Sequence, residues 1–145
     1  MHPYPHQYRV EATAESGQPV LLNSQGLDTL TSLPPAQFDG PGDRWSPETL
    51  LVAALADCYI LTFRAIARAS QLDWLHLDCN TNGILDRVDN VTRFTRFDIE
   101  ARLKVPAGTD EHKAARILHK AEAACLISSS LNAEKHLEIS IETAP

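Results

Sequence analysis

The sequence predicts an α+β fold in which antiparallel sheets surround one long apolar helix. Short alternating segments fill the N-terminal third, a long apolar stretch follows, and two longer alternating segments precede a second helical pattern and a last strand. Strands and helices in separate stretches, rather than in strict alternation, are typical of α+β proteins. The chain has 145 residues, without an internal repeat or a long linker. We therefore expect a single domain over residues 1–145.

The N-terminal third is predicted to contain a hairpin and one further strand. Residues 7–14 and 20–23 flank a Ser-Gly-Gln-Pro sequence that is typical of a turn, and a third strand is expected near residues 27–33. The stretch 34–44 is too rich in proline and glycine for regular structure. Loops of this kind beside a helix often carry functional residues.

A long helix is predicted from Pro47 to about Ala69. Ser46 suits the N-cap position, and the proline and Glu48 that follow it suit the first helical turn. The helix is apolar on nearly every side until Arg64, and a helix of this kind belongs in a protein core or a subunit interface. One subunit of this size covers such a helix poorly, so we expect a homodimer.

The C-terminal half is predicted to contain two long strands, a helix and a final strand. The strands are expected at residues 74–86 and 91–105, where charged and apolar residues alternate as in an antiparallel sheet with one wet face. A helix should begin near Asp110 and place Cys125 on its apolar stripe. A short helical turn over 128–134 and a strand over 137–142 complete the prediction.

Composition argues against several classes of function. The net charge of −6 and the pI near 5.4 leave no basic stripe to neutralise phosphates, so no nucleic-acid partner is expected. The N-terminus lacks the apolar segment of a signal peptide, and the apolar run 50–56 is too short to span a bilayer before Asp57 interrupts it. No His/Cys set has zinc-like spacing, and neither a metal nor a cofactor is expected. These features favour a cytoplasmic protein without a membrane partner.

Two of the three cysteines, Cys58 and Cys125, occupy matched settings on predicted apolar helices. Three cysteines do not form a disulfide scaffold, so such a pair in the cytosol is either buried and inert or redox-active. Cys79 shares one face of a predicted strand with Leu75 and Leu77, which favours a core position. The residues alone leave open whether Cys58 and Cys125 are reactive thiols or core side chains.

A reactive Cys58 would need a nearby cation. An ordinary thiol has a pKa of about 8.5 and is only a few per cent ionised at pH 7. Arg44 precedes the helix directly and is the first candidate, with Glu48 close enough in sequence to hold its guanidinium; Arg9 is a second candidate. The alternative is that neither residue acts on Cys58. Glu48 would then only stabilise the first turn of the helix, and Arg44 would be solvated.

Three blocks of the chain form a pattern: FDGPG at 38–42, SPETLLVAALADC at 46–58 and AEAACLIS at 121–128. An acidic residue stands ten positions before the first cysteine, and the second cysteine lies late on another helix, which is a fairly specific combination. With these blocks the chain resembles the OsmC/Ohr family of thiol-dependent peroxidases for organic hydroperoxides, and the similarity covers essentially the whole chain.

The resemblance implies a role for each candidate residue. Cys58 would be the peroxidatic thiol that becomes a sulfenic acid, and Cys125 the resolving thiol that condenses with it to an intramolecular disulfide. Glu48 would orient an arginine against the Cys58 sulfur, and Arg44 is the candidate. A dithiol reductant, commonly a lipoylated protein in this family, would restore both thiols. The implied fold is an intertwined α+β homodimer with its active sites at the interface.

The chain departs from the family pattern at three positions. Gln18 or a neighbour replaces the hairpin arginine of Ohr-type members, Leu126 stands where proline often follows the second cysteine, and Asp57 replaces a small residue before Cys58. These differences concern the rate and the preferred peroxide more than the reaction class. The alternative function is a non-catalytic OsmC-like protein that binds a small apolar ligand or acts as a redox sensor.

Overall fold

The computed structural model describes all residues, 1–145, and confirms the α+β class. The chain divides into two compact units, Met1–Leu50 and Leu51–Pro145. The first unit contains one small sheet and the start of the long helix. The second contains the rest of that helix, a larger sheet and two further helices.

The sheet of the first unit is an antiparallel meander of three short strands. These strands are β1 (Glu11–Thr13), β2 (Val20–Asn23) and β3 (Leu30–Ser32), in the spatial order β1-β2-β3. Gly17 has φ = 75° at the predicted turn, a conformation that glycine adopts without strain. The first strand is shorter than the predicted residues 7–14. All three residues of β1 are exposed, so burial of an apolar face does not stabilise a longer pairing with β2.

The long helix α1 occupies Pro47–Ala69, as predicted. Its start is capped reciprocally: Ser46 Oγ accepts the N–H of Thr49 at 3.1 Å, and Thr49 Oγ1 accepts the N–H of Ser46 at 2.9 Å. By length and composition alone α1 could cross a membrane, with a mean hydropathy of 1.8. Its deepest face nevertheless lies in the core of the second unit, where four residues spaced four apart are fully buried: Leu55, Tyr59, Phe63 and Ala67.

The sheet of the second unit joins β4 (His76–Val88), β5 (Val91–Val105) and β6 (Glu134–Thr143). The β4–β5 hairpin is antiparallel and turns at Asp89 and Asn90, whose φ angles of 50° and 64° are those of a type I′ turn. Strand β6 pairs with β5 in parallel, which differs from the all-antiparallel prediction. The reason is the helical connection between them, which returns the chain to the same end of the sheet.

Two helices form that connection, α2 (Glu111–Ala124) and α3 (Leu126–Ser129). The predicted short helix over 128–134 is therefore displaced toward the N-terminus, and Cys125 lies at the junction between the two helices. The larger apolar cluster of the unit packs α1 and α2 against the sheet, with Tyr59 and Phe63 among its fully buried members. A second cluster, around Leu55 and Phe97, contains the candidate site.

Candidate functional site

Cys58 lies half-buried on α1 and opens into a cleft of about 470 Å³. Its Sγ is 3.8 Å from Thr62 Oγ1, one helical turn further along the same face. Half-exposed Leu61 and two-thirds-exposed Leu126 line the cleft, and Asp57 is the one charged residue in its wall. An apolar ligand in this cleft would therefore contact the Cys58 thiol directly.

Cys125 is fully buried at the α2–α3 junction. Burial, and to a lesser extent the nearby Cys58 thiol, raises the pKa of the Cys125 thiol to about 11. The backbone N–H groups of Ser128 and Ile127 act in the opposite direction, although they approach the sulfur without forming a capping hydrogen bond. At neutral pH Cys125 is consequently a protonated, water-excluded thiol.

The fold brings Cys58 and Cys125 into one apolar cluster. Both are free thiols. Cys58 approaches Cys125 closely enough to affect its ionisation. The four other buried members of this cluster are Leu55, Phe97, Ile99 and Ala133. The two sulfurs thus differ in access, because one faces a cleft and the other lies beneath it.

The predicted activating residues, Glu48 and Arg44, belong to the first unit and do not pair with each other. Glu48 is half-buried in the first turn of α1, where its Oε2 is shielded from solvent without a hydrogen-bond partner. It lines a cavity of about 510 Å³ together with Gln18, Phe38 and several prolines. Arg44 is exposed and forms no salt bridge within the chain, so its action on Cys58 stays a prediction.

Cys79 stays a core side chain. It is half-buried on β4, packs against both apolar clusters and lies 3.6 Å from Thr81 Oγ1. Burial raises the pKa of its thiol, and the Glu122 carboxylate raises it further. A group of three or more His, Cys, Asp or Glu residues that could hold a metal ion does not occur in the chain.

Glu122 and Ser128 were not singled out from the sequence. Ser128 Oγ donates a hydrogen bond of 2.5 Å to Glu122 Oε1 across the turn that holds Cys125. The signal was their spacing, since each lies three residues from Cys125. That spacing is informative only once the turn is known to fall at Cys125 rather than beyond it.

The match to a family model decides the relationship of this chain to known proteins. Residues 40–140 match the model described as OsmC-like protein. The chain belongs to the OsmC-like family. Its relative YmaD from Bacillus subtilis (strain 168), an uncharacterised protein, is 35% identical over 130 residues, which is 83% of each protein.

Solved OsmC-like structures share the fold at low identity. An OsmC-like protein of unknown function from Vibrio cholerae superposes with a TM-score of 0.85 at 19% identity, covering 94% of this chain and 100% of that one. The organic hydroperoxide resistance protein OsmC from Legionella pneumophila gives 0.71 at 19% identity, covering 95% and 99%. The OsmC-like family thus includes proteins named for organic hydroperoxide resistance, alongside members without a known function.

Proposed function

We propose that this OsmC-like protein is a thiol-dependent peroxidase that reduces organic hydroperoxides to alcohols. The observation that carries the proposal is the placement of Cys58 at an apolar cleft, in the same apolar cluster as the buried thiol of Cys125 and close enough to affect its ionisation. An apolar hydroperoxide fits a cleft with this lining, and a second thiol within reach converts a reversible oxidation into a complete cycle. This activity would make the protein an antioxidant in the oxidative stress response.

In the first step, the Cys58 thiolate attacks the terminal peroxide oxygen. The O–O bond breaks, the alkoxide takes up a proton and leaves as the alcohol, and Cys58 becomes a sulfenic acid. A cation near the sulfur would favour both the thiolate and the departing alkoxide. Glu48 would hold this cation in place. Its shielded Oε2 has no hydrogen-bond partner, and an arginine side chain would supply one. Arg44 remains our candidate for that arginine.

In the second step, the sulfur of Cys125 attacks the sulfenic sulfur of Cys58. The S–O bond breaks and water leaves, so that an intramolecular disulfide forms. A small dithiol, or a protein that carries one such as a lipoylated protein, then reduces the disulfide by exchange. Each cycle therefore consumes one hydroperoxide and one dithiol and yields an alcohol, water and the oxidised reductant.

A homodimer in the cytoplasm is the proposed setting. Helix α1 buries one stripe in its own chain but leaves large apolar side chains such as Leu61 half exposed. A second copy that covers this face would remove apolar surface from water. The cytoplasm would keep both thiols reduced between cycles.

The test is turnover of cumene hydroperoxide with dihydrolipoamide as reductant. The Cys58→Ser variant is expected to lose turnover, whereas Cys79→Ser is the matched control and is expected to retain it. Mass spectrometry after one equivalent of peroxide should find a Cys58–Cys125 disulfide. Full activity in Cys58→Ser would refute the proposal. Absence of any disulfide would instead favour the non-catalytic alternative, a protein that only binds an apolar ligand.

A further inference from the structure

The turn that carries Cys125 is fixed by hydrogen bonds on both sides of the cysteine. The Cys125 N–H donates to the carbonyl of Glu122 at 3.3 Å, and the N–H of Ser129 donates to the Cys125 carbonyl at 3.0 Å. Above these backbone bonds, the Ser128 hydroxyl donates to Glu122 Oε1 at 2.5 Å. This last bond ties α3 to α2 across the cysteine, and we call it the Glu122–Ser128 clamp.

The clamp is built from polar groups whose burial costs free energy. Ser128 is only 5% exposed, and Glu122 Oε2 is shielded from solvent without a hydrogen-bond partner. The Glu122 carboxylate also raises the pKa of two neighbouring groups, the Tyr59 hydroxyl and the Cys79 thiol. A shielded carboxylate oxygen without a partner destabilises a fold. Stability alone therefore gives little reason for Glu122, and the residue that it brackets together with Ser128 is Cys125.

The role of the clamp follows from what it holds. Ser128 and Glu122 lie three residues to either side of Cys125, so their hydrogen bond spans the cysteine. Among the groups that lower the pKa of the Cys125 thiol, the backbone N–H of Ser128 has the largest effect. The bond of the Ser128 side chain therefore restrains the backbone on both sides of Cys125. Small losses of alignment between reacting atoms slow a reaction strongly, so a rigid turn is an advantage at this position.

We propose that Glu122 and Ser128 are positioning residues that hold Cys125 for its attack on a sulfur-oxidised Cys58. The inference builds on the proposed role of Cys125 as the resolving thiol. It adds that disulfide closure is set by a hydrogen-bonded clamp outside the thiol pair. Neither residue touches the substrate; both act through the geometry of the turn.

The test isolates disulfide closure from peroxide chemistry by using Ellman's reagent, a disulfide of two thionitrobenzoates. The Cys58 thiolate attacks it, releases one thionitrobenzoate and keeps the other as a mixed disulfide. The Cys125 sulfur then attacks Cys58, the mixed disulfide breaks, the second thionitrobenzoate leaves and the Cys125 proton passes to solvent. The rate of the second release measures how well Cys125 is positioned. All variants carry Cys79→Ala, so that only two thiols remain.

Ser128→Ala is expected to slow the second release about tenfold while leaving the first release unchanged. The matched control is Ser129→Ala, on the same short helix but exposed, which is expected to close at the parent rate. Glu122→Ala should slow closure as much as Ser128→Ala, and Glu122→Gln, which keeps an acceptor oxygen, should recover most of the rate. The double variant should be no slower than either single one, because the two residues form one clamp.

Closure in Ser128→Ala and Glu122→Ala at the rate of the Ser129→Ala control would overturn the inference. Additive losses in the double variant would overturn it as well. Circular dichroism identifies a variant that does not fold, and the other single variant then decides the result. A peroxide that fails to oxidise Cys58 would refute the proposed function, whereas the closure rates would still report on the clamp.

Discussion

The rate of disulfide resolution should increase steeply with pH, because the Cys125 thiol has a pKa of about 11. The fraction ionised at pH 7 is then about one in ten thousand, against about one in thirty for an ordinary thiol with a pKa near 8.5. That difference is about 300-fold. A thiolate of higher pKa is intrinsically more nucleophilic, which restores about tenfold. Resolution should therefore be about 30-fold slower at pH 7 than with an unperturbed thiol.

The assay is rapid mixing of reduced protein with one equivalent of cumene hydroperoxide, followed by acid quenching and mass spectrometry. It separates the sulfenic acid of Cys58 from the disulfide with Cys125. Because the pKa of Cys125 lies above this pH range, raising the pH creates more Cys125 thiolate. The rate of resolution should therefore increase about tenfold per pH unit from pH 7 to pH 10. A plateau near pH 8.5 would refute the reasoning, because it would show that Cys125 ionises as an ordinary thiol.

Three further substitutions test the described packing and electrostatics. In Gly83→Ala, the added Cβ would lie 2.8 Å from Val52 Cγ2 and 2.9 Å from the Phe94 ring. We expect the free energy of unfolding, measured in urea, to fall by about 1–3 kcal/mol. An unchanged unfolding midpoint would contradict this packing. Ser46→Ala removes the acceptor that caps α1 and should cost about 1 kcal/mol in the same measurement, whereas Ser46→Asn, which keeps a capping oxygen, should lose less. Asp57→Asn removes the one charge lining the Cys58 cleft and should raise the rate of Cys58 alkylation by iodoacetate relative to iodoacetamide about fivefold in low salt. That gain should shrink in high salt, and a ratio that salt does not change would exclude a direct charge effect.

Sequence reasoning was most accurate where local signals and burial agreed. The bounds of α1 follow from its N-cap and its apolar length, and both bounds are confirmed. Strand β5 was also predicted correctly over Val91–Val105, and apolar residues of its alternating pattern, among them Phe97 and Ile99, are buried. In both elements, the apolar residues that recur with the period of the helix or strand are the ones that contact the core.

Sequence reasoning was weaker where the answer depends on the fold as a whole. The direction of β6 is set by the path of the connection before it, which leaves no trace in the strand itself. The break at Cys125 was missed because the apolar stripe of α2 continues through it without a proline or glycine. The Glu122–Ser128 clamp exists only because of that break. The orphaned oxygen of Glu48 likewise depends on packing that a motif does not describe.

Helix α1 has a further consequence for how the two sulfurs meet. Tyr59, the neighbour of Cys58, is fully buried, and its hydroxyl donates to the carbonyl of Leu118 at 2.9 Å. This anchor opposes rotation of α1 about its own axis, so we expect the Cys58 sulfur to keep its position. Because the Glu122–Ser128 clamp holds the turn at Cys125 as well, we expect the sulfurs to meet by rotation of the two cysteine side chains rather than by movement of a helix. The oxidised protein would then differ from the reduced one mainly in the torsion angles of the two cysteine side chains.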